Sequence, residues 1–441
     1  MRPLGLSLYR VGTKLISPAV PYLLTRRVRA GKEDTKRLNE RVAQNLKQRA
    51  AGPLVWLHGA SVGETLMLSR IVHALAAARP EARFVVTSQT LASAEVLARR
   101  LPSDVARQQM APIDAPGIVR RFLDHWKPDL AIFAESEIWP NMLVETSQRK
   151  IPLALVNARM TRGSIENWMR LRETADDLLS RFNYIGAADE LTALGIEEIT
   201  GEPVTRPGSL KLDAPAPSVD DAELKRLREQ IGDRPVWLAA STHAGEEHLA
   251  FAAHAVLKTS FPNALLIVAP RHSNRAEEIA KLAQQGPAFA QRSRNEAIKS
   301  QTSIYLADTM GEMGIFFSLA GVALMGGALK PNIGGHNPIE PARLGAYVLS
   351  GPHAYNFKEA YDAVIQHQAG QILKDDHPRT LAAAVETALK AKRDRTALAE
   401  KNAAWLPKPD AALEATVADL LKLAPLSHSA SLSPAASHAS A

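Results

Sequence analysis

Short apolar runs alternate with helical patterns along most of this chain, and that alternation limits the possible folds more than any other feature. In the first half the runs cover residues 54–57, 83–88, 129–134 and 152–157. In the second half they cover residues 236–240, 264–269, 303–307, 321–325 and 346–350. Such alternation is typical of parallel βαβ units, whose functional residues collect at the carboxyl ends of the strands. The sequence therefore predicts an α/β protein built on parallel sheets.

A cluster of prolines separates the two halves of this pattern. Pro203, Pro207, Pro215 and Pro217 surround segment 208–213, a composition typical of an interdomain linker. The length of 441 residues also exceeds the usual size of one hydrophobic core. We expect two similar Rossmann-like domains facing a central cleft. The predicted segments are an amphipathic N-terminus at 1–30, a first domain at 31–205, a linker at 206–220, a second domain at 221–425 and a disordered Ser/Ala-rich tail at 426–441.

Composition excludes several kinds of chemistry. The chain has no cysteine, so disulfides, thiolate catalysis and cysteine-ligated zinc are excluded, and a reducing compartment is indicated. An apolar content of 46% with 22% charged residues is typical of a globular protein rather than a disordered or polytopic one.

The positive charge is confined to the N-terminus. Residues 1–50 contain 12 Lys or Arg and 3 Asp or Glu, a balance of +9, whereas the whole chain carries +7. The remainder is therefore slightly acidic. A nucleic-acid groove needs basic residues spread along its face, so we expect no nucleic-acid partner. An anionic membrane surface is the better match.

The first thirty residues have the pattern of a membrane anchor. One helical face carries Leu4, Leu8, Val11 and Leu15. A bilayer-spanning helix needs about 20 apolar residues, and this stretch is interrupted by Arg10, Lys14, Pro18 and Pro21. No cleavage site of a signal peptide follows. We expect an interfacial or weakly inserted anchor reinforced by basic residues at 26–32. The alternative is a helix packed on the globular body.

A glycine-rich segment, His-Gly-Ala-Ser-Val-Gly-Glu at 58–64, follows the first predicted strand and precedes a helical pattern that begins near Thr65. Gly59 and Gly63 permit close backbone approaches, and the first amides of the next helix carry partial positive charge. Glu64 can cap that helix or act as a base, and both roles stay open. Residues 59–63 also match the G-x-S-x-G nucleophile elbow of serine hydrolases.

Polar segments follow the other predicted strands. Residues 135–141, Glu-Ser-Glu-Ile-Trp-Pro-Asn, place Glu135 and Glu137 after the 129–134 run. Four strands of the second half end in polar or glycine-rich segments, at 241–247, 270–272, 308–312 and 326–341. Helix amides, hydroxyls and Arg271 together suit a nucleotide phosphate and ribose. The plainer alternatives are surface charges and helix caps, including a capping box at 337–340.

Three functions compete on these residues. A sugar-nucleotide transferase would place acceptor residues in the first domain and donor residues in the second. A serine hydrolase would use the 59–63 elbow, although that elbow normally lies deep within a larger sheet. A non-catalytic nucleotide-binding membrane protein would leave the paired carboxylates without a purpose.

The motifs at 58–64, 135–141, 208–211, 308–312 and 334–341 resemble those of the bacterial 3-deoxy-D-manno-octulosonic acid (Kdo) transferases, in the same order along roughly residues 35–420. The resemblance implies a GT-B fold with an acceptor-binding first domain and a CMP-sugar-binding second domain. It also implies inverting transfer of Kdo from CMP-Kdo to a lipid A precursor, at the cytoplasmic face of the inner membrane.

The resemblance further implies roles for individual residues. Glu64 corresponds to the general base, and Glu135 and Lys211 correspond to groups that stabilise the transition state. Whether Glu135 or Glu137 faces the cleft stays open. The implied CMP-binding residues are Pro270, Arg271, Met310, Gly311, Glu312, Asn337, Pro338, Ile339 and Glu340. Helix amides with Lys and Arg can balance the departing charge, so neither a metal nor a cofactor is expected.

Overall fold

Two α/β units make up the part of the chain that the computed structural model describes, residues 3–283 and 288–424. The first unit runs to Leu210 and takes up the chain again from Ala412, and the second spans Lys211–Ala411. The observed division thus falls five residues after the expected end of the first domain at 205. The predicted disordered tail, 426–441, lies outside the described residues.

The first unit is built on a parallel sheet. Its strands are β1 Leu54–Gly59, β2 Arg83–Ser88, β3 Ala106–Met110, β4 Leu130–Ala134, β5 Leu153–Ala158 and β6 Tyr184–Ala187. Within the described residues they lie in the order β3-β2-β1-β4-β5-β6, and every neighbouring pair is parallel. Side chains of β1 alternate between two cores, since Leu54 and Trp56 lie in one and Val55 and Leu57 in the other.

The second unit repeats this architecture with a second parallel sheet. Its strands are β7 Val236–Thr242, β8 Leu265–Pro270, β9 Phe289–Gln291, β10 Ile304–Leu306, β11 Val322–Met325, β12 Tyr347–Ser350 and β13 Gly370–Ile372. In the described part of the chain the order is β13-β12-β11-β7-β8-β10-β9, again parallel throughout. Every strand expected from the sequence is present, and the expectation of parallel α/β domains is confirmed.

Helices connect the strands in both units. Those before the second unit are α1 Leu4–Ile16, α2 Val20–Arg29, α3 Leu38–Arg41, α4 Val62–Ala78, α5 Leu91–Arg100, α6 Pro116–Trp126, α7 Pro140–Gln148, α8 Arg162–Arg170, α9 Arg172–Leu179 and α10 Glu190–Thr200. Those that follow are α11 Asp221–Ile231, α12 Glu246–Leu257, α13 Ala276–Ala283, α14 Met313–Leu319, α15 Ile339–Arg343, α16 Lys358–Gln366, α17 Pro378–Lys390, α18 Arg395–Ala403 and α19 Ala411–Leu423.

The last helix, α19, differs from the sequence expectation. Residues up to 425 were expected in the second domain, yet α19 packs on the first unit. Ala412, Val417 and Leu420 lie in the same core as Val55 and Leu57 of β1. The apolar face of α19 therefore completes a core whose other members come from the beginning of the chain.

The N-terminal helices have both a packed and an exposed side. Leu6, Val20 and Leu24 are buried in the core of the first unit. Several apolar side chains of α1 are instead exposed by more than half, namely Leu4, Leu8, Val11, Leu15 and Ile16. Among the described residues, none of the helices combines the length and apolarity needed to cross a bilayer.

Candidate active site

Glu64 lies in the first turn of α4, which begins at Val62, three residues before the predicted start. Ser61 is the N-cap, and its hydroxyl accepts from the Glu64 amide at 3.2 Å while the Glu64 carboxylate binds the Ser61 amide at 3.3 Å. The same carboxylate accepts from the Ala60 amide at 2.5 Å and from the Ser61 hydroxyl at 3.0 Å. Glu64 therefore forms a capping box with Ser61, and the three contacts to its carboxylate fix the direction of that group.

The electrostatic surroundings of Glu64 favour the protonated form. Burial, and then the charges of Glu135 and Glu137, raise the pKa of Glu64 above its ordinary value, although the amides of Ala60 and Ser61 act in the opposite direction. The side chain is only 9% exposed. The structure thus brings three carboxyl groups of the first unit, Glu64, Glu135 and Glu137, into one electrostatic neighbourhood.

Glu135 has an unusual backbone conformation. Its φ is +52°, and its neighbour across the sheet edge, Asn157, also has a φ of +52°. The Glu135 amide donates to the Val156 carbonyl at 3.0 Å, and the Asn157 side-chain amide lies 3.4 Å from the Glu135 carboxylate. Left-handed backbone at non-glycine residues costs free energy and is concentrated at functional sites. The bend after β4 thus sets where the Glu135 side chain points.

Glu137 is held by two side chains. Its Oε2 accepts from the Trp139 indole at 2.7 Å and lies 3.2 Å from Nε2 of His58, a buried residue of β1. The other ring nitrogen of His58 lies 2.9 Å from the Thr87 hydroxyl. Burial alone would raise the pKa of Glu137, but His58 and Trp139 outweigh it and the pKa lies below its ordinary value. Glu137 therefore remains charged beside Glu64.

Lys211, the third predicted catalytic residue, opens the second unit. The residue before it, Leu210, donates its amide to the Asn157 side chain at 2.9 Å, and its carbonyl accepts from Arg70. Asn157 therefore contacts both Glu135 and the chain segment that leads to Lys211.

The predicted donor residues all lie in the second unit, at the carboxyl ends of its strands. Pro270 ends β8, and Arg271 follows it. Met310 is 75% exposed, and Gly311 has a φ of +85°, a conformation that favours glycine. Glu312 forms an ion pair with Arg292 at 2.5 Å and binds the Thr309 hydroxyl. The Thr309–Glu312 contact closes the 309–312 loop.

The 337–340 segment forms only part of the predicted capping box. The Asn337 side chain accepts from the Ile339 amide at 3.0 Å, and Glu340 lies 3.5 Å from the Asn337 side-chain amide rather than from its backbone. Helix α15 begins at Ile339, so Pro338 occupies the N-cap position rather than the expected first helical position. Pro338 and Ile339 are buried, whereas Asn337 and Glu340 are partly exposed.

A histidine pair beside these residues was not assigned a role from the sequence. His243 and His336 stack at 5.2 Å between ring centroids, and their Nε2 atoms lie 2.9 Å apart. Burial, together with the positive charge of Arg271 and neighbouring histidines, lowers the pKa of His243 to about 4 and that of His336 to about 3. Both rings are therefore neutral near pH 7. In the sequence, the only indication of such a role is that each histidine lies in a polar segment that follows a strand.

Glu246 is a second residue that the sequence reasoning missed. It is fully buried, and its carboxylate accepts from the amides of His243, Gly327 and Leu329 at 2.8–3.2 Å. It thereby joins the loop after β7 to the loop after β11. Across the described residues no group of His, Asp or Glu side chains has the arrangement of a metal site.

Comparisons with known proteins identify the family. Residues 36–214 match the family model described as 3-deoxy-D-manno-octulosonic-acid transferase. The chain is 33% identical over 368 residues to a probable 3-deoxy-D-manno-octulosonic acid transferase, mitochondrial, of Arabidopsis thaliana, covering 81% of this chain and 82% of that protein. It is 32% identical to the 3-deoxy-D-manno-octulosonic acid transferase of Bordetella pertussis, covering 81% and 85% of the two chains.

Solved structures show a shared fold at low identity. Acinetobacter baumannii MurG aligns with a TM-score of 0.52 at 12% identity, over 84% of this chain and 100% of that one. A glycosyltransferase from Rickettsia africae aligns with a TM-score of 0.51 at 10% identity, over 85% and 99%. These neighbours agree with the expected GT-B glycosyltransferase fold. The sequence matches show that the chain belongs to the 3-deoxy-D-manno-octulosonic acid transferase family.

Proposed function

We propose that this enzyme transfers Kdo from CMP-Kdo to a lipid A precursor with inversion, and that Glu64 is the general base. The observation that carries the proposal is the Glu64 carboxylate, buried beside Glu135 and Glu137 and oriented by Ala60 and Ser61. In the reaction a bond forms between an acceptor hydroxyl oxygen and the anomeric carbon of Kdo. The bond from that carbon to the CMP phosphate breaks, CMP leaves with the electron pair, and Glu64 takes the hydroxyl proton.

The environment of Glu64 fits this role. A sugar hydroxyl is a poor nucleophile near neutral pH, and a base is most effective when its pKa approaches the working pH. The direction of the pKa shift of Glu64 is therefore the one that a base requires. Capping and catalysis are compatible, because the cap contacts hold the carboxylate in place without neutralising it with a cation.

The second unit supplies the groups that an anionic nucleotide needs. Arg271 follows β8, the neutral pair His243 and His336 offers hydrogen-bonding nitrogens, and Asn337 and Glu340 are partly exposed. We assign the CMP moiety to this set, and we assign Glu135 and Lys211 to stabilisation of the transition state. The reaction proposed here uses no metal ion, since cationic side chains and helix amides balance the departing charge.

The location that we propose is the cytoplasmic face of the inner membrane. Supporting this are the exposed apolar side chains of α1 and the basic residues Arg26, Arg27 and Arg29 in the last turn of α2. Apolar side chains bordered by cations match an anionic phospholipid surface, on which an amphipathic helix lies without crossing the bilayer.

The serine hydrolase alternative loses its support. The Ser61 hydroxyl donates to Glu64 at 3.0 Å and accepts from the Glu64 amide. The nearby His58 contacts Thr87 and Glu137 rather than Ser61. Ser61 thus acts as a helix cap.

Incubation with CMP-Kdo and a tetraacylated lipid A precursor, followed by mass spectrometry, tests the proposal. We expect a product heavier by one or more Kdo residues, and the mass gives the number of additions. An unmodified acceptor in the presence of folded, CMP-binding enzyme would contradict the proposed substrates.

A further inference from the structure

Helix α1 turns a set of polar side chains toward the first unit. The Tyr9 hydroxyl donates to Asp114 Oδ2 at 2.9 Å, and Arg10 forms a 2.7 Å ion pair with Glu145 of α7. One turn further on, the Thr13 hydroxyl accepts from the Asn141 side chain at 3.0 Å. The helix is therefore joined to the globular body by hydrogen bonds as well as by its buried leucine, Leu6.

Helix α7 has no cap of its own. Trp139 occupies its N-cap position, has no side-chain oxygen and makes no capping hydrogen bond, and Pro140 is the first helical residue. Asp114, from the connection between β3 and α6, fills this role. Its carboxylate accepts from the amides of Asn141 at 3.1 Å and Met142 at 2.8 Å. These are two of the amides that a helix start leaves without partners, so Asp114 caps α7 from a distant part of the chain.

The start of α7 also contacts Glu137, through Trp139. The Leu143 amide donates to the Trp139 carbonyl at 3.0 Å, and the Trp139 indole binds Glu137 at 2.7 Å. The charge of Glu137 in turn acts on Glu64. Hydrogen bonds therefore join Tyr9 to Asp114, Asp114 to the first turn of α7, and the Trp139 indole at the start of that turn to Glu137.

We propose that Tyr9 and Asp114 are positioning residues for the transfer reaction, so that α1 contributes to turnover as well as to membrane attachment. Tyr9 holds the Asp114 carboxylate, Asp114 caps α7, and the capped turn sets the position of Trp139 and hence of Glu137. The proposal rests on the proposed role of the carboxylate cluster, but it makes a separate claim. Turnover should depend on Tyr9 even where no bilayer is present.

The test uses the full-length enzyme with CMP-Kdo and detergent-solubilised lipid A precursor. Tyr9→Phe should lower kcat by about 2- to 30-fold, the range of effects carried by a network of contacts. The KM for CMP-Kdo and the melting temperature should change little. Asp114→Asn should lower kcat further. Tyr22→Phe is the matched control, because the Tyr22 side chain is 66% exposed and its loss of a hydroxyl should leave kcat unchanged.

A double-mutant cycle separates positioning from general destabilisation. If Tyr9 acts through Glu137, the effect of Tyr9→Phe should largely disappear in a Glu137→Gln background. Additive effects, or a kcat of Tyr9→Phe equal to that of Tyr22→Phe, would overturn the proposal even if Asp114→Asn failed to fold. Failure of the proposed function is distinguishable from this, because it would appear as an active Glu64→Gln enzyme.

Discussion

Glu64 of the first unit and Glu312 of the second unit lie in opposite electrostatic surroundings. In the first unit Glu64, Glu135 and Glu137 lie together, and the pKa of Glu64 is raised. In the second unit Glu312 is paired with Arg292, and the resulting hydrogen bonds and charge lower its pKa. A group that must accept a proton benefits from a shifted pKa, whereas a loop that binds an anion benefits from fixed geometry and a neutralised acid. The difference supports the proposed proton transfer at Glu64 and the proposed nucleotide binding in the second unit.

The largest effect is expected at Glu64, in the first unit. Glu64→Gln keeps the size of the side chain and removes the base, so transfer should fall by at least about 100-fold while CMP affinity is retained. Single-turnover rates and CMP titration measure the two quantities. Ser61→Ala should remain active. An active Glu64→Gln enzyme with only a small loss of stability would mean that Glu64 is a helix cap and no more.

Arg271→Ala tests the proposed nucleotide binding by the second unit. Removing a charge-assisted hydrogen bond should weaken CMP binding by about 1–3 kcal/mol, measured by calorimetry. Glu340→Ala should act in the same direction, but it also requires a melting curve, since Glu340 lies in the first turn of α15. Early melting with intact CMP affinity would assign Glu340 a structural role.

Binding to the membrane should depend on the first unit alone. Leu8→Ser with Leu15→Ser removes two exposed apolar side chains of α1, and binding to vesicles with anionic lipid should weaken by at least about tenfold. Leu194→Ser is the control, because Leu194 is 54% exposed on α10. Equal vesicle binding by both variants in a sedimentation assay would remove the support for an α1 membrane contact.

A smaller effect is expected from the ion pair that holds the donor loop. Arg292 binds both Glu312 and Glu223 at 2.5 Å, so Arg292→Ala should loosen the 309–312 loop and reduce CMP affinity by about 3- to 10-fold. Arg226→Ala is matched, because Arg226 also pairs with Glu223 but is half exposed. If both variants bind CMP as the wild type does, the loop does not depend on Arg292.

The subtlest test is the pH dependence of turnover. A base with a raised pKa loses activity as the pH falls through that pKa, so the acid limb of kcat should lie above the range of an ordinary glutamate. Glu137→Gln removes one of the two charges that raise the pKa of Glu64, and the limb should move to lower pH. If the acid limb of kcat does not move, the charge of Glu137 does not influence the ionisation of Glu64.

The strands that could be predicted from the sequence are the central ones. The four that were missed, β3, β6, β9 and β13, are the edges of the two sheets. Edge strands have one neighbour, so they need less apolar sequence, as in the Ala-Arg-Gln-Gln-Met of β3. The central strand β1 is buried at every residue, and its apolar sequence predicts a strand directly. The pattern of burial, rather than strand propensity, determined which strands the sequence revealed.

The candidate site was only partly predictable for a related reason. Segments 58–64 and 135–141 were identified because each follows a strand. The contact between His58 and Glu137 depends on β1 and β4 being neighbours, with His58 opposite Phe133. The cap that Asp114 provides joins residues 27 apart in sequence. Contacts of this kind follow from sheet order and loop paths, which local patterns do not contain.

The return of α19 to the first unit has a consequence for the order of folding during synthesis. A ribosome completes all of the second unit, through Ala411, before it makes the helix that the first unit still lacks. Until then the core that contains Val55, Leu57 and Leu210 lacks the apolar side chains of α19, and the part of it that α19 covers stays open to water. The unit encoded first therefore completes its core last, and during that interval the apolar side chains that α19 will cover are exposed to aggregation.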